Sequence, residues 1–264
     1  MSCVKDIFDC LNKIAPVGLK MDFDNVGILV GDKSQTVKKC LIALDITDDV
    51  IEETVSKGAD LIVSHHPLIF TPLKSVLNDD LTGRKVIKLI KNNISAICMH
   101  TNLDIAEDGV NDALMKALGA DGKGFLEPCG EDADGNKVGC GRIGELPAET
   151  ELSDFLIQCK KALNCAALRY YDAGKPVHKL AVMGGSGGGC VALAKELGCD
   201  TYVTADIKYN SFLDAKELGL NLIDADHFCT ENVVVPVLHD KLSAEFPDVE
   251  FRISEIHRQT VKFI

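Results

Sequence analysis

The feature that most constrains this chain is a rhythm of short aliphatic runs separated by amphipathic stretches. "CLIALDI" (40–46), "DLIVSHH" (60–66) and "ISAICMH" (94–100) alternate with "TDDVIEETVSKGA", "TGRKVIKLIKNN" and "EDGVNDALMKALG". The runs are too short for buried helices and too apolar for one-sided strands, so the alternation predicts βαβ units and a mainly parallel sheet. Thr47 or Asp48 caps the first of these helices and Gly58 ends it. After residue 150 the rhythm resumes with a helix in "ELSDFLIQCKKAL" and strands in "AALRYYD", "KLAVMGG", "TYVTADI" and "NLIDADH". Further helices are expected in "CVALAKELG", "SFLDAKELG" and, as one long element, "TENVVVPVLHDKLSAEF", and a last strand in "VEFRISE".

Between the halves, "GFLEPCGEDADGNKVGCGRIGELP" turns to Gly, Asp and Pro, which marks a boundary or an exposed hairpin turning at Asp134-Gly135. With 264 residues and 46% hydrophobic content, the chain can bury one large or two modest α/β cores. A formal charge of −12 argues against nucleic acid or an anionic membrane as partner. An anionic substrate would then need a local cation to receive it. Eleven cysteines with no C-x-x-C pair read as reduced, mostly buried residues of a cytoplasmic protein. The opening "MSCVKDIFDCLNKIAP" is charged and amphipathic rather than signal-like, and no apolar run reaches spanning length.

Ligands of parallel α/β sheets collect outside the carboxyl ends of strands. Three polar clusters fall at such ends: His65-His66 after "LIVS", "HTNLD" (100–104) after "SAICM", and "HFCTE" (227–231) after "NLIDAD". Neighbouring residues of a regular strand point to opposite sides. Two adjacent histidines therefore do not easily grip one ion, but could diverge beyond the strand and serve two. His65, His66 and His227 with Asp104 and Glu231 form a plausible set for a pair of divalent cations. Imidazole plus carboxylate suits Zn, Fe, Mn, Co or Ni better than Ca. Hydrogen-bonded turn histidines are the competing explanation for each residue alone; the recurrence at equivalent strand ends is what favours metal.

The segments "DFDNVGILVG", "SHHPLIF", "HTNLD", "GGSGGG", "TADIKYN" and "LIDADHFCTE" occur in this order over nearly the whole chain. In them the sequence resembles the YbgI-like, NIF-three-like family of GTP cyclohydrolase 1 type 2 homologues. The resemblance implies two interlinked α/β domains with mainly parallel or mixed sheets. One would comprise residues 1–128 with 229–264 and the other 129–228, with a dinuclear metal site between them. It implies His65, His66, Asp104, His227 and Glu231 as the metal ligands, and a toroidal homohexamer. Three positions depart from the family pattern: Ala205 stands where the family has glycine before Asp206, Asn210 replaces a histidine, and Asp226 stands where the family has glycine before the ligand histidine. The extra domain inserted in longer relatives is not expected here.

Weaker candidates surround this set. His100 could relay protons or orient a carboxylate, or could be a buried turn histidine. The glycine run 184–189 follows a strand and is expected to open a helix, so Gly185, Ser186 and Gly187 could contact an anionic substrate. Lys208 could meet a phosphate, although a solvated lysine is the ordinary reading. Asn25 could orient a ligand but better suits a turn before a strand, and Cys229 is not needed as a ligand. The expected function is metal-dependent hydrolysis of a small cytosolic substrate, with a nucleotide as candidate and GTP cyclohydrolase-like chemistry as its named form. The alternative is a metal-binding regulatory or scaffold protein without catalysis.

Overall fold

Val4, Ile7 and Leu11 recur at helical spacing in the opening segment, and helix α1 (Val4–Ile14) buries all three. The structure, a computed structural model, describes all residues from Met1 to Ile264. The chain divides into two units: Met1–Ala106 with Val235–Arg258, and Glu107–Val234 with Gln259–Ile264.

In the first unit, β1 (Gly27–Val30) and β2 (Lys39–Ala43) lead to α2 (Asp48–Lys57) and β3 (Leu61–Ser64). Helix α3 (Leu81–Lys91), β4 (Ser95–Cys98) and the short α4 (Thr101–Ile105) follow. The Thr47 side chain accepts from the Val50 N–H, and Gly58 ends α2 in the left-handed conformation, as the sequence predicts. The strands stand in the order β1-β4-β3-β2-β11, where β11 (Glu250–Ile253) returns after α10 (Val234–Glu245). All neighbours are parallel except β1 with β4. Leu41, Ala43 and Ile62 on the sheet pack with Val50, Ile51, Val86 and Leu89 of α2 and α3 to form a core.

The second unit begins with α5 (Val110–Ala117) and a long antiparallel hairpin, β5 (Asp121–Glu131) and β6 (Lys137–Thr150). Helix α6 (Leu152–Ala162), β7 (Arg169–Tyr171), β8 (Val177–Ser186), α7 (Val191–Glu196) and β9 (Thr201–Ala205) follow. Helix α8 (Tyr209–Leu218), β10 (Asn221–Asp224) and α9 (His227–Glu231) complete it. The sheet order is β5-β6-β8-β9-β10-β7, with β8, β9 and β10 mutually parallel and the other pairs antiparallel. Its core includes Leu114, Phe155, Val182, Val203 and Ile223. The fold is thus α/β with two mixed sheets.

Two elements differ from expectation. The long helix over 230–246 is interrupted after Glu231, and α10 starts afresh at Val234. Pro236 has no N–H to donate, which only a first helical turn accommodates, so the helix restarts just ahead of it. The glycine run does not open a helix directly. Strand β8 continues through Ser186, a 3-10 turn covers Gly188–Cys190, and the six-residue α7 begins only at Val191.

Candidate metal centre

In the first unit, β2, β3 and β4 end level with one another, since Ala43 pairs with Ser64 and Ser64 with Cys98. Asp45, His65, His66 and His100 therefore leave the sheet at one edge. Strand β3 stops at Ser64, so the pleat no longer forces the two histidines apart, and their ring centroids lie 5.0 Å from each other. One nitrogen from each of His65, His66 and His100 lies within 4.8 Å of the other two.

Each ring is anchored through Nδ1. The buried His65 donates from Nδ1 to the Met99 carbonyl at 2.8 Å, and its Nε2 is 3.6 Å from Asp104 Oδ1. His66 Nδ1 donates to Asp45 Oδ1 at 2.7 Å, and His257 Nε2 meets the other oxygen of Asp45 at 3.0 Å. His100 Nδ1 donates to Asp24 Oδ1 at 2.8 Å; Asp24 Oδ2 accepts from the backbone and hydroxyl of Thr101 at 3.0 and 2.5 Å. Burial pushes the carboxyls of Asp24 and Asp45 up, but these hydrogen bonds outweigh it and hold both well below the usual carboxylate range. Asp104 lies on α4, whose backbone N–H donates to the His100 carbonyl at 3.1 Å. Cys98, close by, is no thiolate: burial, aided by the charges of Asp24 and Asp104, pushes its thiol well up.

In the second unit the parallel strands β8, β9 and β10 bring Ser186, Asp206 and His227 to one edge. Asp206 and Asp226 both take left-handed backbone conformations, with φ of 53° and 68°. Aspartate tolerates that region better than most residues, which explains how it can stand at 226 in place of glycine. It also contributes a cap, accepting from the Cys229 N–H at 3.3 Å. His227 Nδ1 donates to Asp206 Oδ2 at 2.8 Å, while Nε2 lies 3.0 Å from Oε2 of the buried Glu231 one helical turn on. The bond to Glu231 outweighs burial and raises the His227 imidazole to about 9.

The glycine run serves packing around these groups. A Cβ on Gly185, whose φ is +64°, would collide with Glu231 Oε1, and one on Gly187 would collide with Thr204 Oγ1 and the Tyr202 hydroxyl. Ser186 is exposed at the end of β8; Lys208 and Asn210 are exposed at the start of α8. Asn25 donates to the Ile69 carbonyl at 2.6 Å and so joins two loops.

The donor set fits a divalent ion. Two ligands at about 2.1 Å from one ion in tetrahedral geometry stand about 3.4 Å apart, close to the separations of His65 from Asp104 and of His227 from Glu231. Anchoring Nδ1 on a carbonyl or carboxylate fixes the tautomer and presents Nε2, the usual support of a metal-ligating histidine. Sequence reasoning passed over Asp24, Asp45 and His257 in these roles. The readable signal for Asp45 is its place just beyond a buried strand, level with the histidines.

This is an α/β protein with two mixed sheets and histidine, aspartate and glutamate groups able to bind a metal ion. The chain belongs to the Duf34/NIF3 (NGG1p interacting factor 3) family, which it matches over residues 2–260. It is 38% identical over 263 residues to a GTP cyclohydrolase 1 type 2 homolog of Clostridium perfringens, covering 99% of both chains. It is 39% identical over 244 residues to the homolog of the same name from Clostridium acetobutylicum, covering 90% of this chain and 89% of that one. Among solved structures, a Bacillus cereus protein related to NIF3 superposes with a TM-score of 0.93 at 26% identity, covering 100% of this chain and 99% of the other. No helix is long and apolar enough to cross a membrane.

Proposed function

We propose that the chain is a divalent-metal-dependent hydrolase of a small substrate, in which His65, His66, Asp104, His227 and Glu231 act as one ligand set for two ions. The observation that carries this reading is the repeated anchoring of Nδ1, on Met99, Asp45 and Asp206, at all three ligand histidines. A pair of such ions supplies Lewis acidity and a water acidic enough to act as nucleophile near neutral pH. Zn, Fe, Mn, Co and Ni all suit the donors. His100, held by Asp24 and grouped with His65 and His66, is the candidate to move a proton at its Nε2. The relatives' name supports a nucleotide substrate, opened by GTP cyclohydrolase-like hydrolysis, as the specific form of the reaction. A homohexamer in the cytoplasm is the assembly proposed with it, on the family resemblance alone.

The test is elemental analysis of protein prepared without chelators or affinity-tag metals, together with turnover of GTP and a broad nucleotide panel. Retained metal, turnover abolished by chelator and restored by metal, and loss of both in His66→Ala and Glu231→Ala are expected. Metal content near zero with no rebinding defeats the reading. Chelation that changes sizing and melting, with no reaction depending on metal, favours a scaffold instead.

A further inference from the structure

Two phenylalanines beside the histidine cluster have no part in holding metal, yet both stand in solvent: Phe23 is 64% exposed and Phe70 48%. Their rings meet edge to face, with centroids 6.2 Å apart and planes at 66°. Phe70 also stands 6.1 Å from the His100 ring, at 83°. His100 in turn lies 5.2 Å from His65 and 5.6 Å from His66. An unbroken series of rings therefore runs from the imidazole cluster out to Phe23.

The pair is held in place from both sides. Asp24, next to Phe23, is fixed by His100 and Thr101, and Lys20 Nζ donates to its carbonyl at 3.0 Å. Asn25 ties the Phe23 segment to the Phe70 segment through the Ile69 carbonyl. These bonds fix the backbone on either side of the two rings, and a surface held beforehand loses little freedom when a ligand stacks on it. Phe70 also borders a hollow of about 550 Å³, a size suited to a small molecule, whose lining mixes apolar Leu68 and Leu73 with polar Thr71 and Ser75 and the charges of Lys74 and Asp80.

We propose that Phe23 and Phe70 form a platform on which a flat heteroaromatic ring of the substrate, such as a nucleobase, stacks beside His100. The inference rests on the reading of the histidine cluster as a reaction site and specifies what that site takes. Aromatic faces accept any base, so the platform selects for a ring and not for one particular base.

The chain has no tryptophan, so Phe23→Trp places a single reporter at the platform while keeping a ring. The probes are GMP, AMP, CMP and ribose 5-phosphate, titrated with and without added metal, and metal content is measured on every variant. Quenching of the reporter by the nucleotides but not by ribose 5-phosphate is expected. Phe23→Leu and Phe70→Leu are expected to weaken nucleotide binding about five- to hundred-fold with metal content unchanged. The platform is overturned if ribose 5-phosphate binds the natural chain as tightly as the nucleotides, or if both leucine variants bind nucleotides normally. It is overturned equally if those variants change only the size of the assembly, which would make the pair a contact between copies. Absence of metal defeats the metal reading and leaves the ring titration standing; failed titration of metal-loaded protein defeats only the platform.

Discussion

Asp45 offers the sharpest test of how the histidines are held. Its carboxylate takes His66 Nδ1 at 2.7 Å on one oxygen and His257 Nε2 at 3.0 Å on the other. The charge keeps the proton on Nδ1 of His66 and makes Nε2 a better donor to a cation. Losing such a support typically weakens metal binding about ten- to hundred-fold, or about 1.4–2.8 kcal/mol. In Asp45→Asn the amide oxygen still accepts from His66, so only the charge is lost and a cost near the tenfold end is expected. The amide nitrogen cannot accept from His257, which must change tautomer to receive it. Asp45→Ala removes both contacts and belongs near the hundredfold end. Competition with a chromogenic chelator reads the affinity of the metal site proposed at His66, with melting curves as the control for folding. Folded Asp45→Ala protein binding added metal within twofold of the natural chain would refute the argument.

Other expectations follow from the same contacts. Gly185→Ala should cost about 1–3 kcal/mol from its left-handed backbone alone, and should lower metal content because the new methyl displaces Glu231; unchanged melting and metal would contradict this. The buried Glu53 accepts from Ser254, the Glu255 N–H and Lys57, which together outweigh burial and lower its carboxyl below the usual 4.5. Its contribution is therefore present above that pH and is lost as pH falls through the folded value. Glu53→Gln should cost about 1–3 kcal/mol at pH 7 from the charge-assisted hydrogen bonds it weakens, with the difference in urea midpoint shrinking as the pH falls through the folded value. His227, raised from 6.5 to about 9, stabilises metal-free protein fully below pH 6.5 and loses that contribution as pH rises through 9. Metal binding near pH 7.5 should accordingly release a proton, read as a binding heat that varies with the ionisation enthalpy of the buffer; a buffer-independent heat would count against it.

Much of this architecture is legible in the chain because local and tertiary preferences agree. Thr47 and Gly58 bracket α2 in sequence as in space, and the apolar runs at 61–64, 95–98 and 201–205 are strands. The histidines stood out because strand ends can be located from those runs. Their anchors did not, because hydrogen bonds to Nδ1 come from 21 residues away for Asp45 and Asp206 and from 76 away for Asp24. No periodicity encodes such distances. Helix α4 escaped notice because it is a single turn, stabilised by its surroundings rather than by a long amphipathic face. The break before α10 was readable in Pro236, whose backbone chemistry outweighs the aliphatic run around it.

His257 has a consequence for how the molecule is made. The residue that steadies the Asp45 carboxylate, and through it His66, is translated after every other histidine and carboxylate of the candidate site. On a ribosome, β2, β3 and β4 can pair early, but strand β11 and the turn that carries His257 must wait until residues 250–257 have been made. A nascent chain would thus hold its tandem imidazoles without their final brace until that segment pairs beside β2, and the proposed metal site would be least well supported in that interval.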